Sequence, residues 1–381
     1  MMSFKRKHAV TSLMLAGVMA GHVSLAQAEV TVIEGNPDGT GFWDPLEVQV
    51  GGSIRAQYFN EMGGQDDGSY KHNVYDGGSR LRFSADYVVN GDLTLLGYFE
   101  PGFDLMHVLR LHGQYDRDDR RTSRRQAYFG VESQRYGTLT LGKQNSVYYD
   151  VVGAKTDVWD NDMQAQASGV GLDGDYDGSY RARRSAKYRY DVGPASLYVG
   201  ALFQDEDLHV GNGIDYQRNG GGALGLDYRL TSDLVLSAAY SNTGATVHGQ
   251  GSEDYRQENS GAAVTWTPNQ WYLSVGGGYY RNFVPYMTGD TDRFFHGDAA
   301  GVEYVAKYTI PLESTVVKEI TPYVAGDRLE MRNGSDDHYD HQYVGVSAQL
   351  PYGFQADLEH TFADTSDDQV DATLARVRYD F

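Results

Sequence analysis

Apolar and polar residues alternate along most of the chain, in segments of about ten residues that follow one another to the C terminus. Alternation of this kind predicts β-strands, because successive side chains of a strand point to opposite faces. An irregular lead, EVTVIEGNPDGTGFWD, precedes the first segment. The predicted strands span 46–59, 79–90, 92–100, 123–134, 136–144, 180–191, 195–204, 221–231, 234–244, 255–268, 271–283, 301–311, 320–331, 339–350, 353–365 and 371–381. The pattern therefore predicts an all-β chain of about sixteen strands.

The connections between these strands alternate between tight turns and long polar loops. Tight turns are predicted at Asn90-Gly91, Arg135-Tyr136, Gly193-Pro194, Ser232-Asp233, Asn269-Gln270 and Pro351-Tyr352. Long loops span 60–78, 101–122, 145–179, 205–220, 245–254 and 284–300, and the segment 312–319 is the exception to the alternation. An antiparallel up-and-down barrel that crosses a membrane has short turns on one side and long loops on the other. We therefore expect a transmembrane β-barrel.

The alternation also assigns the two faces of the barrel wall. In the second strand Leu81, Phe83, Ala85, Tyr87 and Val89 are expected to face lipid, and Arg80, Arg82, Ser84 and Asp86 to face the lumen. In the last strand Arg376 and Arg378 are expected inside. A charge on the lipid face near the midplane costs about 2–4 kcal/mol, so these arginines predict a water-filled interior.

The segment SYRARRSAKYRY (179–190) shows the same division between two media. One face carries Arg181, Arg183, Ser185, Lys187 and Arg189, and the other carries Tyr180, Ala182, Ala186, Tyr188 and Tyr190. Arg184 breaks the alternation. We interpret the first face as the lumen and the second as the lipid face.

The first 28 residues are predicted to be a secretory signal peptide. Lys5, Arg6 and Lys7 precede an apolar run, and Ala26, Gln27 and Ala28 form an A-x-A cleavage site before Glu29. The apolar run is shorter than the roughly 20 residues of a spanning helix. We expect residues 1–28 to be removed and residues 29–381 to form a single barrel domain.

Composition narrows the class further. The chain has 30 Tyr, 46 Gly and nine Pro, a profile that fits a membrane barrel. It has no Cys, which excludes disulfides and thiolate metal sites. The net charge of −20 becomes −23 when the three leader cations are removed (−20 − 3 = −23), so no nucleic-acid partner is expected.

Three stretches resemble the general porins of Gram-negative bacteria. They are RRQAYFGVESQRYGTLTLGKQNSVYYDVV (124–152), KTDVWDND (155–162) and the terminal ARVRYDF (375–381). The resemblance covers nearly the whole mature chain. It implies a homotrimeric, sixteen-stranded diffusion channel of the outer membrane whose third loop folds back into the lumen.

The same resemblance implies a constriction at which carboxylates of the third loop face arginines of the wall. By motif, the loop aspartate corresponds to Asp157, the wall arginines to Arg80 and Arg181, and the glutamate of the third strand to Glu100. We expect Arg183 to act beside Arg181. A third wall arginine lies in SRRQAYFG, where the parity of the apolar side chains favours Arg124 and the glycine spacing favours Arg125.

The sequence departs from the family after TDV. The usual proline-containing run is replaced by WDNDMQA, so the loop glutamate of the family falls on Asn161. Asp160 and Asp162 flank this position and could supply the charge instead.

Other candidate chemistry is weaker. GVGLDG (169–174) lacks the strand–loop–helix context of a dinucleotide site. DGDYDG (173–178) begins like a calcium loop but has Arg184 at the twelfth position, which leaves a loose divalent-ion site as an alternative. DDHYDH (336–341) favours a solvated or lipopolysaccharide-bridging loop over a metal site. No Ser or His lies in a nucleophile-elbow context, so we expect neither an enzyme nor a cofactor.

We therefore expect a water-filled channel for passive diffusion of small hydrophilic solutes and ions. A solute-specific channel for anionic nutrients, such as acidic sugars or phosphate, is the alternative suggested by the cationic segment 181–189. A surface adhesin or structural barrel is a further alternative. Expected partners are further copies of the chain, outer-membrane lipid and lipopolysaccharide, for which RDDRRTSRR (117–125) is a candidate contact.

Overall fold

The protein is a closed antiparallel β-barrel. The computed structural model describes residues 29–62, 72–109, 122–157, 165–168, 171–285, 291, 294–333 and 337–381. In these ranges twenty strands form one sheet, and sixteen of them build the barrel wall. The predicted signal peptide, residues 1–28, lies outside the described residues and stays a prediction.

The wall strands, numbered in chain order, are β1 (Leu46–Met62), β2 (Arg80–Val88), β3 (Leu93–Phe103), β4 (Thr122–Ser133), β5 (Gly137–Asn145), β6 (Arg181–Val192), β7 (Ala195–Leu202), β8 (Ile214–Arg229), β9 (Leu234–His248), β10 (Ser252–Trp266), β11 (Trp271–Pro285), β12 (Phe295–Tyr308), β13 (Glu319–Met331), β14 (His338–Gln349), β15 (Phe354–Thr365) and β16 (Asp371–Asp380). The other four strands are short and pair with wall strands. Val30–Ile33 and His72–Asp76 pair with β1, Leu208–Gly211 pairs with β8, and Ile310–Pro311 pairs with β13. Helix is confined to α1 (Leu105–Val108), α2 (Val147–Val151) and two 3-10 turns, Gly153–Lys155 and Pro351–Gly353, in the described ranges.

The first and last strands close the barrel. β1 pairs with β16 from Ser53 opposite Asp380 to Met62 opposite Asp371. Phe381 and Gly52 exchange two backbone hydrogen bonds at 2.7 and 3.1 Å. Closure leaves no sheet edge in lipid, as a membrane barrel requires. The predicted fold class is confirmed, and each predicted strand overlaps one wall strand.

Several predicted boundaries were wrong on the long-loop side. β8 begins at Ile214 rather than at 221, and β9 and β10 reach His248 and Ser252, so most of the predicted loop 245–254 is a tall hairpin. The sequence pattern missed the start of β8 because three glycines follow at 220–222, and glycine is depleted in strands. A register shift lies between Arg218 and Gly220, where Gly220 has φ +157°.

The exception at 312–319 is also explained. Ile310–Pro311 pairs with Ile320 and Glu319, so the segment is an extended turn between β12 and β13. It therefore lies on the short-turn side, and the alternation of turns and loops holds through the whole barrel.

Large apolar side chains cover the outside of the wall. Phe129 is 64% exposed, Leu224 59% and Val377 54%. Polar and charged side chains such as Glu303, Asp357 and Arg376 are buried inside. This arrangement is the reverse of that in a soluble globule and matches a wall between lipid and an aqueous lumen.

The short-turn rim carries a group of exposed aromatic side chains. These are Trp43, Tyr136, Trp266, Trp271 and Tyr352. Aromatic belts of this type mark the interface between hydrocarbon and headgroups. None of the helices in the described ranges has the length and apolar character needed to cross a membrane.

Candidate functional site

The segment between β5 and β6 runs inside the barrel. We refer to its described residues, 146–157, 165–168 and 171–180, as the inner loop. It opens with α2, whose N-cap Ser146 accepts a hydrogen bond from the backbone N–H of Tyr149 at 3.0 Å. Val147, Tyr148 and Val151 are buried against the barrel wall. The helix therefore attaches the inner loop to the wall through its apolar face.

Glycines on the inner wall make room for this loop. A Cβ at Gly301 of β12 would lie 1.8 Å from the carbonyl oxygen of Ala165, and a Cβ at Gly261 of β10 would lie 2.5 Å from the Tyr148 hydroxyl. Gly225 of β8 meets Val147 in the same way, at 2.7 Å. Only residues without a Cβ allow the loop backbone to lie this close to the strands.

Polar anchors fix the far part of the loop. The fully buried Glu303 of β12 accepts hydrogen bonds from Thr156 Oγ1 at 2.6 Å and from the backbone N–H of Ala165 at 3.1 Å. Tyr272 donates to the carbonyl oxygen of Lys155 at 2.7 Å. The loop thus occupies one side of the lumen and is held there by β11 and β12.

A cluster of arginines on β2 and β4 surrounds Glu100 of β3. Glu100, 4% exposed, lies 2.7 Å from Arg125 Nε, 3.3 Å from Arg82 Nε and 4.0 Å from Arg80 Nε. One carboxylate shared by three guanidinium groups leaves local positive charge, which faces the lumen because these strands carry their apolar side chains outside.

Arg125, and not Arg124, is the third arginine of this cluster. The β3–β4 register shifts between Glu100, which pairs with Gln126, and Pro101, which pairs with Arg124. The extra residue in β4 turns Arg125 toward Glu100 and leaves Arg124 exposed. The structure thus places beside Glu100 the arginine that the glycine spacing favours, Arg125, and not the one that apolar parity favours; its role in a constriction stays a prediction.

Further arginines on the seam strands belong to the same surface. Arg55 of β1 lies directly opposite Arg378 of β16 in register, and its Nε donates to Ser53 Oγ at 2.7 Å. Arg376 contacts Asp357 through Nε at 3.0 Å and Nη2 at 2.9 Å. We call Arg55, Arg80, Arg82, Arg125, Arg376 and Arg378 the arginine wall. Arg55 was missed as a site residue, although the alternation in β1 places it on the lumenal face with Gln57.

Asp157 lies within the inner loop. It accepts a hydrogen bond from the Tyr149 hydroxyl at 2.6 Å, and the Tyr149 ring contacts the Tyr180 ring at 4.6 Å. The Arg181 guanidinium stacks on Tyr180, 4.0 Å from its ring centroid. Burial raises the pKa of the Tyr149 hydroxyl well above its ordinary value, and the Asp157 carboxylate raises it further, so Tyr149 stays a hydrogen-bond donor. Asp160, Asn161 and Asp162 lie outside the described residues.

The comparisons with known proteins agree with this architecture. A family model described as Gram-negative porin matches residues 9–368. The chain belongs to the Gram-negative porin family. No curated protein matches the sequence.

Solved structures of porins share the fold at low sequence identity. OmpF of Salmonella typhi, solved with daunomycin, has a TM-score of 0.69 and 17% identity over 90% of this chain and 99% of that one. The channel DcaP of Acinetobacter baumannii has a TM-score of 0.65 and 14% identity over 92% and 100%. The trimer form of OmpT of Vibrio cholerae has a TM-score of 0.60 and 17% identity over 89% and 100%. The protein is thus an outer-membrane porin, a β-barrel channel.

In this porin the segment 179–190 does not follow simple alternation. The β5–β6 register shifts between Ser185 and Ala182, and Arg184 has a positive φ of 44°. Below this bulge Lys187 contacts Asp150 of the inner loop at 2.5 Å, and Tyr188 is on the outer face. Above it Tyr180 packs on Tyr149 of α2, with 4.6 Å between the ring centroids, so the prediction that Tyr180 faces lipid was wrong. The bulge therefore interrupts the alternation of the two faces, since Arg181 stacks on the same Tyr180 ring.

Arg183 is not beside the arginine wall. Its Nε lies 3.3 Å from Asp205, its Nη2 lies 2.5 Å from Glu206, and its guanidinium stacks on Tyr176. The prediction that Arg183 acts with Arg181 was therefore wrong, because the bulge redirects it toward the outer connection after β7. Arg181 and Arg183 therefore have different partners: Arg181 stacks on Tyr180, whereas Arg183 forms ion pairs with Asp205 and Glu206.

The histidines of DDHYDH point to different partners. His341 Nδ1 lies 2.9 Å from Asp327, whereas His338 Nε2 lies 3.7 Å from Asp364. Asp336 lies outside the described residues. In the part of the chain that the structure describes, no group of three His, Cys, Asp or Glu side chains is placed to hold a metal.

Proposed function

We propose that this porin is a general diffusion channel for small hydrophilic solutes, in which the arginine wall and the inner loop together form the selective constriction. The observation that supports the proposal is the position of the inner loop inside the barrel. It is anchored on β8–β12, where it narrows a lumen whose remaining wall, from β16 to β4, carries six arginines.

Charge separation supports a filtering role. Arg80 and Arg125 contribute positive charge from the wall, and Asp157 contributes a carboxylate from the loop. A field across a narrow channel with low-dielectric walls orients water and polar solutes and opposes the entry of apolar ones. Glu100 positions the wall arginines, and Tyr149 positions Asp157. No step requires a cofactor or chemical turnover.

Liposome swelling tests the proposal. Proteoliposomes with the purified protein should swell in uncharged sugars at rates that fall smoothly with sugar size and do not saturate with concentration. Liposomes with heat-unfolded protein are the control. Absence of permeation would contradict the proposal and support an adhesin or structural barrel.

One observation favours the second candidate, a channel selective for anionic solutes. Arg55 and Arg378 are direct cross-strand partners, and the carboxylate beside them is that of Asp380, 3.1 Å from Arg378 Nε, so two guanidinium groups share one counterion and leave net positive charge. Rings of arginine are used by anion and phosphate pores. In the swelling assay, saturation by a phosphorylated or acidic sugar, with slow entry of neutral sugars of the same size, would support this candidate.

We also propose that the porin self-associates as a trimer, with the outer face of β2–β5 between protomers. One solved structure of OmpT of Vibrio cholerae is described as the trimer form of that protein. Strands β2 to β7 are 8 to 12 residues long, shorter than the 14 to 16 residues of β8 to β12. Phe83 and Phe99 stack on this low face at 6.3 Å, next to the exposed Phe129.

Native gel mobility tests the trimer. The protein extracted in mild detergent should migrate as a heat-labile trimer, and Phe129→Glu should release monomers while Leu358→Glu, on the outer face of β15, should not. A monomeric wild type would contradict the proposal. Lipopolysaccharide remains a proposed partner, for which Arg124 is exposed; residues 117–121 of the predicted contact lie outside the described residues.

A further inference from the structure

Arg218 of β8 is completely buried and joins three chain segments. Its Nε donates to the carbonyl oxygen of Phe203 at 3.0 Å, its Nη1 to that of Tyr176 at 2.7 Å and its Nη2 to that of Arg183 at 2.5 Å. These acceptors lie after β7, in residues 171–180 of the inner loop and in β6. We call residues 171–180 the return limb. A buried guanidinium is tolerated only when its donors are satisfied, so these three segments must stay together.

Asp205 is the counterion of this guanidinium and of two more. It is 2% exposed and lies 3.4 Å from Arg218 Nη2, 3.3 Å from Arg183 Nε and 3.2 Å from Arg184 Nε. The backbone N–H of Asp205 also donates to the carbonyl oxygen of Arg218 at 3.0 Å. Asp205 thereby ties the outer connection that follows β7 to the point where the return limb enters the wall.

Asp177 is a second buried carboxyl group in the return limb. It is 3% exposed, and its Oδ1 accepts from the backbone N–H of Ser179 at 2.7 Å. Its Oδ2 has no hydrogen-bond donor within the described residues. Thr243 Oγ1 donates to its carbonyl oxygen at 2.8 Å, which packs the limb on β9.

Among the described residues, three charged or titratable side chains face Asp177. Asp173 lies on the same limb, and Arg218 and Tyr216 face it from β8. β9 contributes Thr243, which is uncharged. Burial, opposed in part by Ser179 and Arg218, raises the pKa of Asp177 to about 7.

We propose that Arg218 and Asp205 position the return limb in the lumen and that Asp177 makes this attachment sensitive to protons. Neutral Asp177 leaves the limb packed on β8 and β9. Ionised Asp177 has an oxygen that receives no hydrogen bond from the described residues in a buried site, and it gains water when the limb detaches. Detachment moves the inner loop and disturbs the current through the channel, so the inference about current rests on the proposed function.

The sign and range of the effect follow from linkage. A free aspartate has a pKa of about 3.9, whereas that of packed Asp177 is about 7. The attachment is strongest below about pH 4 and weakens by about tenfold for each pH unit up to about pH 7, where the curve levels off. Above about pH 7 both states have lost the proton and no further change is expected.

Hydrogen–deuterium exchange of the intact protein in detergent tests the attachment directly. Exchange of amides in 171–180 should rise with pH in the wild type relative to Asp177→Asn, by about tenfold per unit between pH 5 and pH 7. Asp205→Asn should raise exchange at every pH and keep the slope. Glu206→Gln, in which only an exposed partner of Arg183 changes, should keep the wild-type profile.

Three outcomes would overturn the proposal: a pH-independent ratio between wild type and Asp177→Asn, an equal loss of slope in Glu206→Gln, or unchanged limb exchange in Asp205→Asn. Single-channel recordings supply a separate readout, in which current fluctuations should increase over the same pH range in the wild type and not in Asp177→Asn. If exchange follows the expected profile but no current is carried, the attachment stands and the proposed channel function fails.

Discussion

The contact between Gly301 and the inner loop provides a sharp test of how the loop is held. In Gly301→Ala the new Cβ would lie 1.8 Å from the carbonyl oxygen of Ala165. Nonbonded heavy atoms pack at about 3.5–4.0 Å, so the loop backbone must retreat by roughly 1.5 Å. That movement breaks the bond from the Ala165 N–H to Glu303 and the bond from the Tyr280 hydroxyl to the Ala165 oxygen.

Each of these hydrogen bonds contributes about 0.5–1.5 kcal/mol net, so the attachment should weaken by about 1–3 kcal/mol, or about 5- to 150-fold. Planar-bilayer recordings should show frequent partial closures in Gly301→Ala. The barrel should keep its resistance to heat, because alanine is no worse than glycine in a strand. Gly222→Ala is the matched control, since its Cβ would make an ordinary 3.6 Å contact with the Gly200 oxygen. If a folded Gly301→Ala barrel gave the same recordings as the wild type, this account of the loop would be refuted.

Three further predictions address the two faces of the wall. Leu224→Arg, on the lipid face near the middle of β8, should reduce assembly in an outer-membrane refolding assay by about 2–4 kcal/mol, whereas Tyr352→Arg at a turn tip should cost less than about 1 kcal/mol; equal costs would contradict the membrane position. Arg125→Ser should raise the single-channel conductance to bulky cations, and Arg183→Ser should leave it unchanged; the opposite ranking would mean that the arginine wall is misplaced. Tyr149→Phe removes the donor to Asp157 and should broaden the distribution of single-channel conductances, while an unchanged distribution would show that Asp157 needs no such support.

The strands could be predicted because alternation with period two is visible in the sequence itself and requires no knowledge of tertiary contacts. Arg80 was placed correctly on the lumenal face, since no bulge interrupts β2. Closure followed from the absence of a tolerable edge in lipid. These features depend on the chain's local pattern and on the membrane alone.

The errors in the candidate site have a common physical origin. A single extra residue inverts the faces of a strand beyond it, and both bulges fall at consecutive arginines, Arg124-Arg125 and Arg183-Arg184. Two adjacent charged residues in an otherwise alternating segment were the visible signal. Parity alone could not use it, because parity assumes an uninterrupted strand.

Other contacts left no local signal. Asp205 lay in a predicted loop, and its three arginine partners are all remote in sequence: Arg183 and Arg184 precede it by 22 and 21 residues (205 − 183 and 205 − 184), and Arg218 follows it by 13 (218 − 205). Gly301 and Gly261 are on different strands, and only the barrel register brings them to one surface under the loop. Contacts of this kind depend on long-range pairing, which a single sequence does not encode as a pattern.

The reversal potential in a potassium chloride gradient tests the central claim most directly. The claim is that the arginine wall and the inner loop form opposite sides of one charged constriction. Relative to the wild type, Arg80→Ser with Arg125→Ser should shift the reversal potential toward cation preference, and Asp157→Asn should shift it toward anion preference. Unchanged potentials, or shifts of the same sign in both variants, would contradict the account.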